Sequence, residues 1–235
     1  MMLNSIQGFI KKAIIFPICF ISCSTFSIEP FQATYQVIYN DKPFGTATSS
    51  LQKINNEWNY NFSATAGDFI NASAQSIFRF NNENIQSSQY SRNTQFLFFK
   101  NQNSIQFDAQ KMNITTQDNK KNYQYPLEKN VYDELNIELQ IRDDLKHSQL
   151  KDEYLVAGTK EIKSLQLIQE GHEDINTNAG NFKTLKVTMK HDDANRETTF
   201  WLAPSLDYLP VKALHNDRNF SYSISLNEYK KTNID

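Results

Sequence analysis

Cysteine is nearly absent. The 235-residue chain holds two, Cys19 and Cys23, both close to the N-terminus. No disulfide framework can therefore staple the body of the protein, and a thiolate zinc site is excluded there. Long apolar runs are absent as well. The longest, Ala13 to Ile21 after Lys11 and Lys12, is too short to span a bilayer, which takes about 20 residues. With small residues behind it, it has the three parts of a secretory signal. Thr25-Phe26-Ser27 suits the ordinary signal peptidase, which defines residues 1–27 as leader and Ile28 as the mature start. Ser22-Cys23 also fits lipidation of Cys23, so a soluble periplasmic product and a lipid-anchored one both stand as expectations.

No strong charge of either sign is present. The chain has 24 Lys and Arg against 26 Asp and Glu; losing Lys11 and Lys12 with the leader leaves 22 minus 26, or −4. That balance argues against nucleic acid, or an anionic membrane, as the main partner. With six glycines in all, the chain has no Gly-rich phosphate loop and no Gly-x-Ser-x-Gly elbow. Its four histidines, His147, His172, His191 and His215, lie in separate segments without metal-ligand spacing. Glu170, His172, Glu173 and Asp174 form the densest local cluster and read as a solvated turn, as does His191-Asp192-Asp193. The sequence therefore nominates no catalytic residue, no metal site and no cofactor.

What is present is alternation. A hydrophobic content of 39% with 13% aromatics supports a real core for one domain, residues 28–235. Phe31, Ala33, Tyr35, Val37 and Tyr39 share one strand face; Trp58, Tyr60, Phe62, Ala64 and Ala66 share another. Ile70, Ala72, Ala74, Ser76, Phe78 and Phe80 follow. Further strands fit 89–99, 104–109, 111–117, 154–157 and 162–169. Leu185, Val187 and Met189 alternate with lysines and threonine, and Phe220, Tyr222, Ile224 and Leu226 close the series. Between Leu127 and Lys146 the period changes. Val131, Tyr132, Leu135, Leu139 and Ile141 to Leu145 gather on one arc of a helix, opposite Asp133, Asn136, Gln140, Asp143 and Asp144 on a polar face. The pattern predicts a mainly β protein: a single large curved antiparallel sheet or half-barrel of about a dozen strands, with one mid-chain helix covering it. A closed outer-membrane barrel fits less well, because of the helix and the charged C-terminus.

Thr177-Asn178-Ala179-Gly180-Asn181-Phe182-Lys183-Thr184-Leu185 and Phe200-Trp201-Leu202-Ala203-Pro204-Ser205-Leu206-Asp207-Tyr208-Leu209-Pro210-Val211-Lys212 resemble the DUF3108 family of exported bacterial proteins. Pro30-Phe31-Gln32-Ala33-Thr34-Tyr35 with Gly45 is similar to the family's start. Tyr132-Asp133-Glu134-Leu135-Asn136 resembles its central Asp and Leu motif, with Asn136 where Ser is more usual. The family has no known activity. The resemblance implies export and a likeness of fold to the half-barrels of periplasmic lipoprotein carriers, in which a helix plugs an apolar, acyl-holding concavity. For the motif residues Gly180, Trp201, Pro204, Asp207, Tyr208 and Pro210 an architectural role is expected: a turn at Gly180, limits on edge pairing at Pro204 and Pro210, and a large buried surface at Trp201.

Three functions stay open. The first is a non-catalytic envelope protein holding a lipid or other apolar ligand between sheet and helix, with Tyr35, Tyr60, Phe62, Ala72, Ala74, Phe78, Leu135 and Leu139 as candidate contacts. The second is an assembly factor that presents the 196–212 region or a sheet edge to an envelope protein. The third is a hydrolase of unrecognised type.

Overall fold

The structure, a computed structural model, describes residues 28–67, 70–81, 84–190, 195–218 and 220–232. The leader with Cys23, and the His191-Asp192-Asp193 loop, lie outside the described residues. Among the described residues fifteen strands and one α-helix follow in chain order: β1 Phe31–Tyr39, β2 Lys42–Ile54, β3 Glu57–Ala66, β4 Ile70–Asn81, β5 Asn84–Phe96, β6 Phe99–Asp108, β7 Asn113–Asp118, β8 Lys121–Pro126 and β9 Val131–Tyr132. Helix α1, Asn136–Lys146, then precedes β10 Glu153–Ala157, β11 Ile162–Thr177, β12 Gly180–Lys190, β13 Arg196–Ala203, β14 Leu209–Asp217 and β15 Phe220–Lys231.

They form one sheet in the order β8-β7-β6-β5-β4-β3-β2-β1-β15-β14-β13-β12-β11-β10-β9. Every pairing is antiparallel except β9 with β10. The first strand thus pairs with the last, Phe31 opposite Lys231 and Tyr39 opposite Tyr222, and joins a first arm, β1 to β8, to a second, β15 back to β9. No strand pairing joins β8 to β9, so the sheet is an open half-barrel. Its ends are held by side chains instead. Tyr125 donates its hydroxyl proton to the Gly158 carbonyl, Thr116 donates to the Thr159 carbonyl, and Asn103 Nδ2 donates to Thr159 Oγ1 at 3.2 Å. Behind these bonds Tyr90, Ile105 and Ile114 of the first arm pack with Val131 and Ala157 of the second.

Alternation decides the two faces. On β1 each of Phe31, Ala33, Tyr35 and Val37 is buried while the residues between are half-exposed, as a twisted sheet with one solvated face requires. The close pairing of β2 with β3 needs a glycine. A Cβ on Gly45 would stand 2.0 Å from the Thr65 carbonyl oxygen and 2.7 Å from Ala66 Cα. Gly45→Ala is expected to destabilise the protein by about 3 kcal/mol, the upper range for overpacking, read as a lowered midpoint in urea unfolding; an unchanged midpoint would show that the strands part freely there.

The helix departs from expectation. Its polar face is not at solvent: Asp133, Asn136, Gln140, Asp143 and Asp144, and with them Arg142, are all at most 5% exposed. The helix lies inside the half-barrel, and of its residues only Glu138 and Lys146 are part-exposed. Burial is tolerable because the polar face is bonded, Arg142 Nη2 excepted. Gln140 Oε1 accepts the Ile85 amide at 3.0 Å and its Nε2 donates to Asp144 at 2.9 Å, while the Tyr154 hydroxyl donates to Asp144 at 2.6 Å.

Candidate ligand cavity

Two of the sequence motifs seat the helix. Asp133, fully buried, accepts the amides of Leu135 at 2.9 Å and Asn136 at 2.8 Å on one carboxylate oxygen, and the Ser76 hydroxyl at 2.6 Å on the other. Asn136 returns the favour through Oδ1 to the Asp133 amide at 3.0 Å, and its Nδ2 donates to Ser87 at 2.9 Å. This reciprocal cap satisfies helix-start donors that would otherwise be orphaned in the interior. Burial pushes the Asp133 carboxyl up to about 7, against the three hydrogen bonds that favour the anion.

At the other end of the helix, Arg142 Nε donates to the Asp207 carbonyl at 3.0 Å and Nη1 to Glu138 at 3.3 Å, with its guanidinium 4.9 Å from the Phe31 ring centre. Lys146 pairs with the Asp207 carboxylate at 2.7 Å. These bonds hold the link between β13 and β14, a helical turn Pro204–Leu206 followed by Asp207 and Tyr208, both left-handed at φ 54° and 56°. Such backbone in non-glycine residues needs support from its surroundings.

Because α1 is anchored to Ser76, Ser87 and Ile85 on the first arm and to Asp207 on the second, it fills one end of the half-barrel. The space beyond its N-terminus remains as a cavity of about 460 Å³. Tyr35, Tyr60, Ile137, Val156, Leu165 and Ala213 line its buried part; Phe62, Leu135, Met189, Phe200 and Ile224 lie nearer the mouth. Glu134, Lys163 and Arg196 stand exposed at the rim. The two carboxylates on its wall are already engaged: Glu134 with Arg92, and Glu138 with Arg142 and with the Tyr60 hydroxyl, which donates at 2.8 Å. Burial first, then the Glu138 charge, push the Tyr35 and Tyr60 hydroxyls well above the ordinary phenol range, so both stay neutral. Ser49, 3% exposed, lies near enough to Tyr35 to favour its ionised form slightly, but its hydroxyl has no partner in hydrogen-bond geometry.

Of the candidate contacts named from sequence, the cavity brings together Tyr35, Tyr60, Phe62 and Leu135. Phe78 and Leu139 sit in the dry core at 0% exposure. Ala74 packs with the small cluster around Tyr90 and also borders a shallow polar depression of Ser, Thr, Asn and Gln on the outer face of β2 to β5. Ala72 opposes Ala64 and Thr94 on its neighbouring strands and lines neither space. In the second-arm lining Phe200, Ala213 and Ile224 are opposite one another across β13, β14 and β15, and Met189 lies two residues along β12 from Val187, the partner of Phe200; this lining carries no local sequence signal beyond alternation.

Trp201 faces the other way. It is paired with Lys186 and Lys212 on the outer face, yet only 6% exposed, because both lysine stems cover it (4.6 Å from Lys212 Nζ to its ring centre) and Glu173 accepts its indole N–H at 2.7 Å. Pro210 does not mark an edge. It lies in β14, an interior strand, where the register shift beside Trp201 absorbs the missing amide. Gly180, at φ 131°, closes the β11–β12 hairpin.

The three described histidines lie on separate elements: His147 after α1, His172 on β11 and His215 on β14. His215 reaches the cavity wall, hydrogen-bonded to Thr198 at 2.9 Å and 5.3 Å from the Tyr222 ring. Burial, then the Arg196 charge, hold its pKa below the usual value. Among the described residues no group of three or more His, Cys, Asp or Glu is placed to hold a metal ion, and no helix is long and apolar enough to cross a membrane.

No match was found among curated proteins. Among solved structures, a β-barrel-like DUF1849 protein of Brucella abortus shares the fold at TM-score 0.59, with 7% identity over 88% of this chain and 99% of that one. A Bacteroides fragilis protein with a YmcC-like fold aligns over 86% of this chain and 96% of its own at 12% identity, but its TM-score of 0.39 is too low to carry an argument. The family model of DUF3108, a protein family of unknown function, matches residues 34–219, which takes in the helix cap, the Arg142–Asp207 contact and nearly all of the cavity lining. The chain belongs to the DUF3108 family.

Proposed function

We propose that the protein is a non-catalytic binder of an apolar ligand, such as a lipid or acyl chain, exported to the periplasm by the 1–27 leader or held in the envelope through Cys23. One observation carries this reading. The helix leaves open a cavity of about 460 Å³ between the two arms, walled mainly by aromatic and aliphatic side chains, within the roughly 300–1,000 Å³ of small-molecule sites. Each methylene buried there would contribute about 0.8 kcal/mol. The wall carboxylates are engaged by arginines and the phenols stay neutral, so neither adds an unpaired charge to the interior.

The test fills the space. Ala213 faces it from β14 between Phe200 and Ile224. Ala213→Phe should lower the affinity for an environment-sensitive apolar dye such as N-phenyl-1-naphthylamine by at least about 10-fold, equivalent to about 1.4 kcal/mol, with the melting temperature kept or raised. Dye binding left intact in the variant, or absent from the native protein, would defeat the reading.

A further inference from the structure

The β5–β6 hairpin ends in four consecutive apolar residues, Phe96, Leu97, Phe98 and Phe99, which are 52%, 41%, 96% and 77% exposed. Single exposed apolar side chains are ordinary, but a contiguous run on a projecting turn marks a contact site. Three other short turns of the first arm are polar, Asn40-Asp41, Asn55-Asn56 and Asn119-Lys120, and the β6–β7 turn exposes a single large apolar side chain, Met112 at 51%. Nothing in the folding of the hairpin calls for phenylalanine at its tip.

The tip's position in the sheet gives a second observation. Along one rim, register runs from Tyr39 and Lys42 through Gly45, Ala66 and Ile70 to Phe96 and Phe99. The same rim continues in the second arm through Tyr39 opposite Tyr222, Arg196 opposite Asp217, and Ala157 opposite Ile162. Tyr222, Arg196 and Lys163 border the cavity, so the aromatic tip and the cavity mouth share one end of the half-barrel. Phe44, 42% exposed and packed on Tyr39, adds to that end.

Charge gives a third. Lys100 follows the tip, and the β7–β8 turn is fastened beside β6 by Asn119, whose amide donates to the Gln102 carbonyl at 2.7 Å. That places Lys120 and Lys121 next to the hairpin, with Lys160 close by over the Tyr123 ring. All four lysines are exposed, against Asp118 and Glu161 on the same turns.

We infer that this end docks on an anionic phospholipid bilayer, with Phe98 and Phe99 wedged among the acyl chains and the lysines against the headgroups. A convex wedge suits a bilayer, which parts around it, whereas aromatic anchors in protein interfaces fill pockets on a matched surface. The overall charge of the chain is no obstacle, since headgroups sense only charges within about a Debye length, roughly 10 Å. Docking stands on the tip and the lysines; transfer of a ligand across the contact rests on the proposed function.

The experiment is flotation of the chain from Ile28 onward, which holds every described strand and the described helix, with vesicles of phosphatidylcholine alone or mixed with phosphatidylglycerol. Starting at Ile28 removes Cys23, so lipidation cannot contribute. The protein should float with the mixed vesicles. Phe98→Ser with Phe99→Ser should lower partitioning at least about 10-fold, and Lys120→Glu with Lys121→Glu should weaken it on the mixed vesicles only. These side chains are exposed, and unchanged melting curves will show that the variants fold. Native protein that stays unfloated with both vesicles, including the case where it crosslinks to an envelope protein through residue 98, overturns the inference; so does undiminished flotation of the double Phe variant. The naphthylamine dye, measured on the same samples, separates the two readings: dye binding without flotation defeats docking alone, and flotation without dye binding defeats the cavity alone.

Discussion

Arg142→Ala should destabilise the protein by about 3–5 kcal/mol, the scale for removing one partner of a buried charge pair. Arg142 is 0% exposed and acts in three directions at once: to Glu138 one helical turn back, to the Asp207 carbonyl, and over the Phe31 ring. Without it, Glu138 keeps only the Tyr60 hydroxyl beside it, and the left-handed pair Asp207 and Tyr208 loses one of its two ties to the helix. Lys146, its side chain 24% exposed, is too well solvated to compensate. Urea unfolding should show a lower midpoint with an unchanged slope. Arg142→Met, which refills much of the volume without the charge, should recover part of the loss. A shift below about 1 kcal/mol in the alanine variant would mean that the helix is seated by packing alone.

Asp133→Ala should lose about 3 kcal/mol, because it leaves the Ser76 hydroxyl and the Leu135 and Asn136 amides buried without an acceptor. The wild-type pH dependence should carry the same residue's signature. With a folded pKa raised from 3.8 to about 7, the folded state holds a proton that the unfolded chain has already released. The stability from this group is full below about pH 4 and is lost as pH rises through about 7, on the order of 4 kcal/mol in total. Glu134, the adjacent charge, raises the pKa further. Denaturation midpoints measured from pH 4 to 8 should fall in the native protein, and Asp133→Asn should remove that component of the slope. A native profile with no fall between pH 4 and 7 would show that the three hydrogen bonds outweigh burial.

The strands were legible because one face of each is buried and the other wet, so that β1, β3 and β15 announce themselves by alternation. The helix was legible by its change of period, but its setting was not. Asp133, Asn136, Gln140 and Asp144 look like a solvent face in projection, and periodicity records only which residues are polar. Three of their partners, Ser76, Ser87 and the Ile85 amide, lie in strands far away in sequence, and the fourth, Tyr154, in the strand that follows the helix. The cavity was half legible for a related reason. Tyr35, Tyr60 and Phe62 come from neighbouring strands of the first arm, whereas Met189, Phe200, Ala213 and Ile224 enter only once β1 pairs with β15. Pairing of first strand with last leaves no local trace. Ala72 and Ala74 do not line the cavity; small residues on an inward face can equally mark close packing. The tip Phe96 to Phe99 reads in sequence as the end of one long strand, and only the turn at Leu97, at φ 55°, brings its rings into water.

The central claim is that the space beyond the helix N-terminus holds an apolar ligand. Native mass spectrometry of the protein purified gently from the cells that make it tests this most directly. The account predicts a reproducible added mass that is released as a lipid-like molecule and is lost in Ala213→Phe. A bare polypeptide mass in the native protein, unchanged after incubation with lipid extract from the same cells, would contradict it.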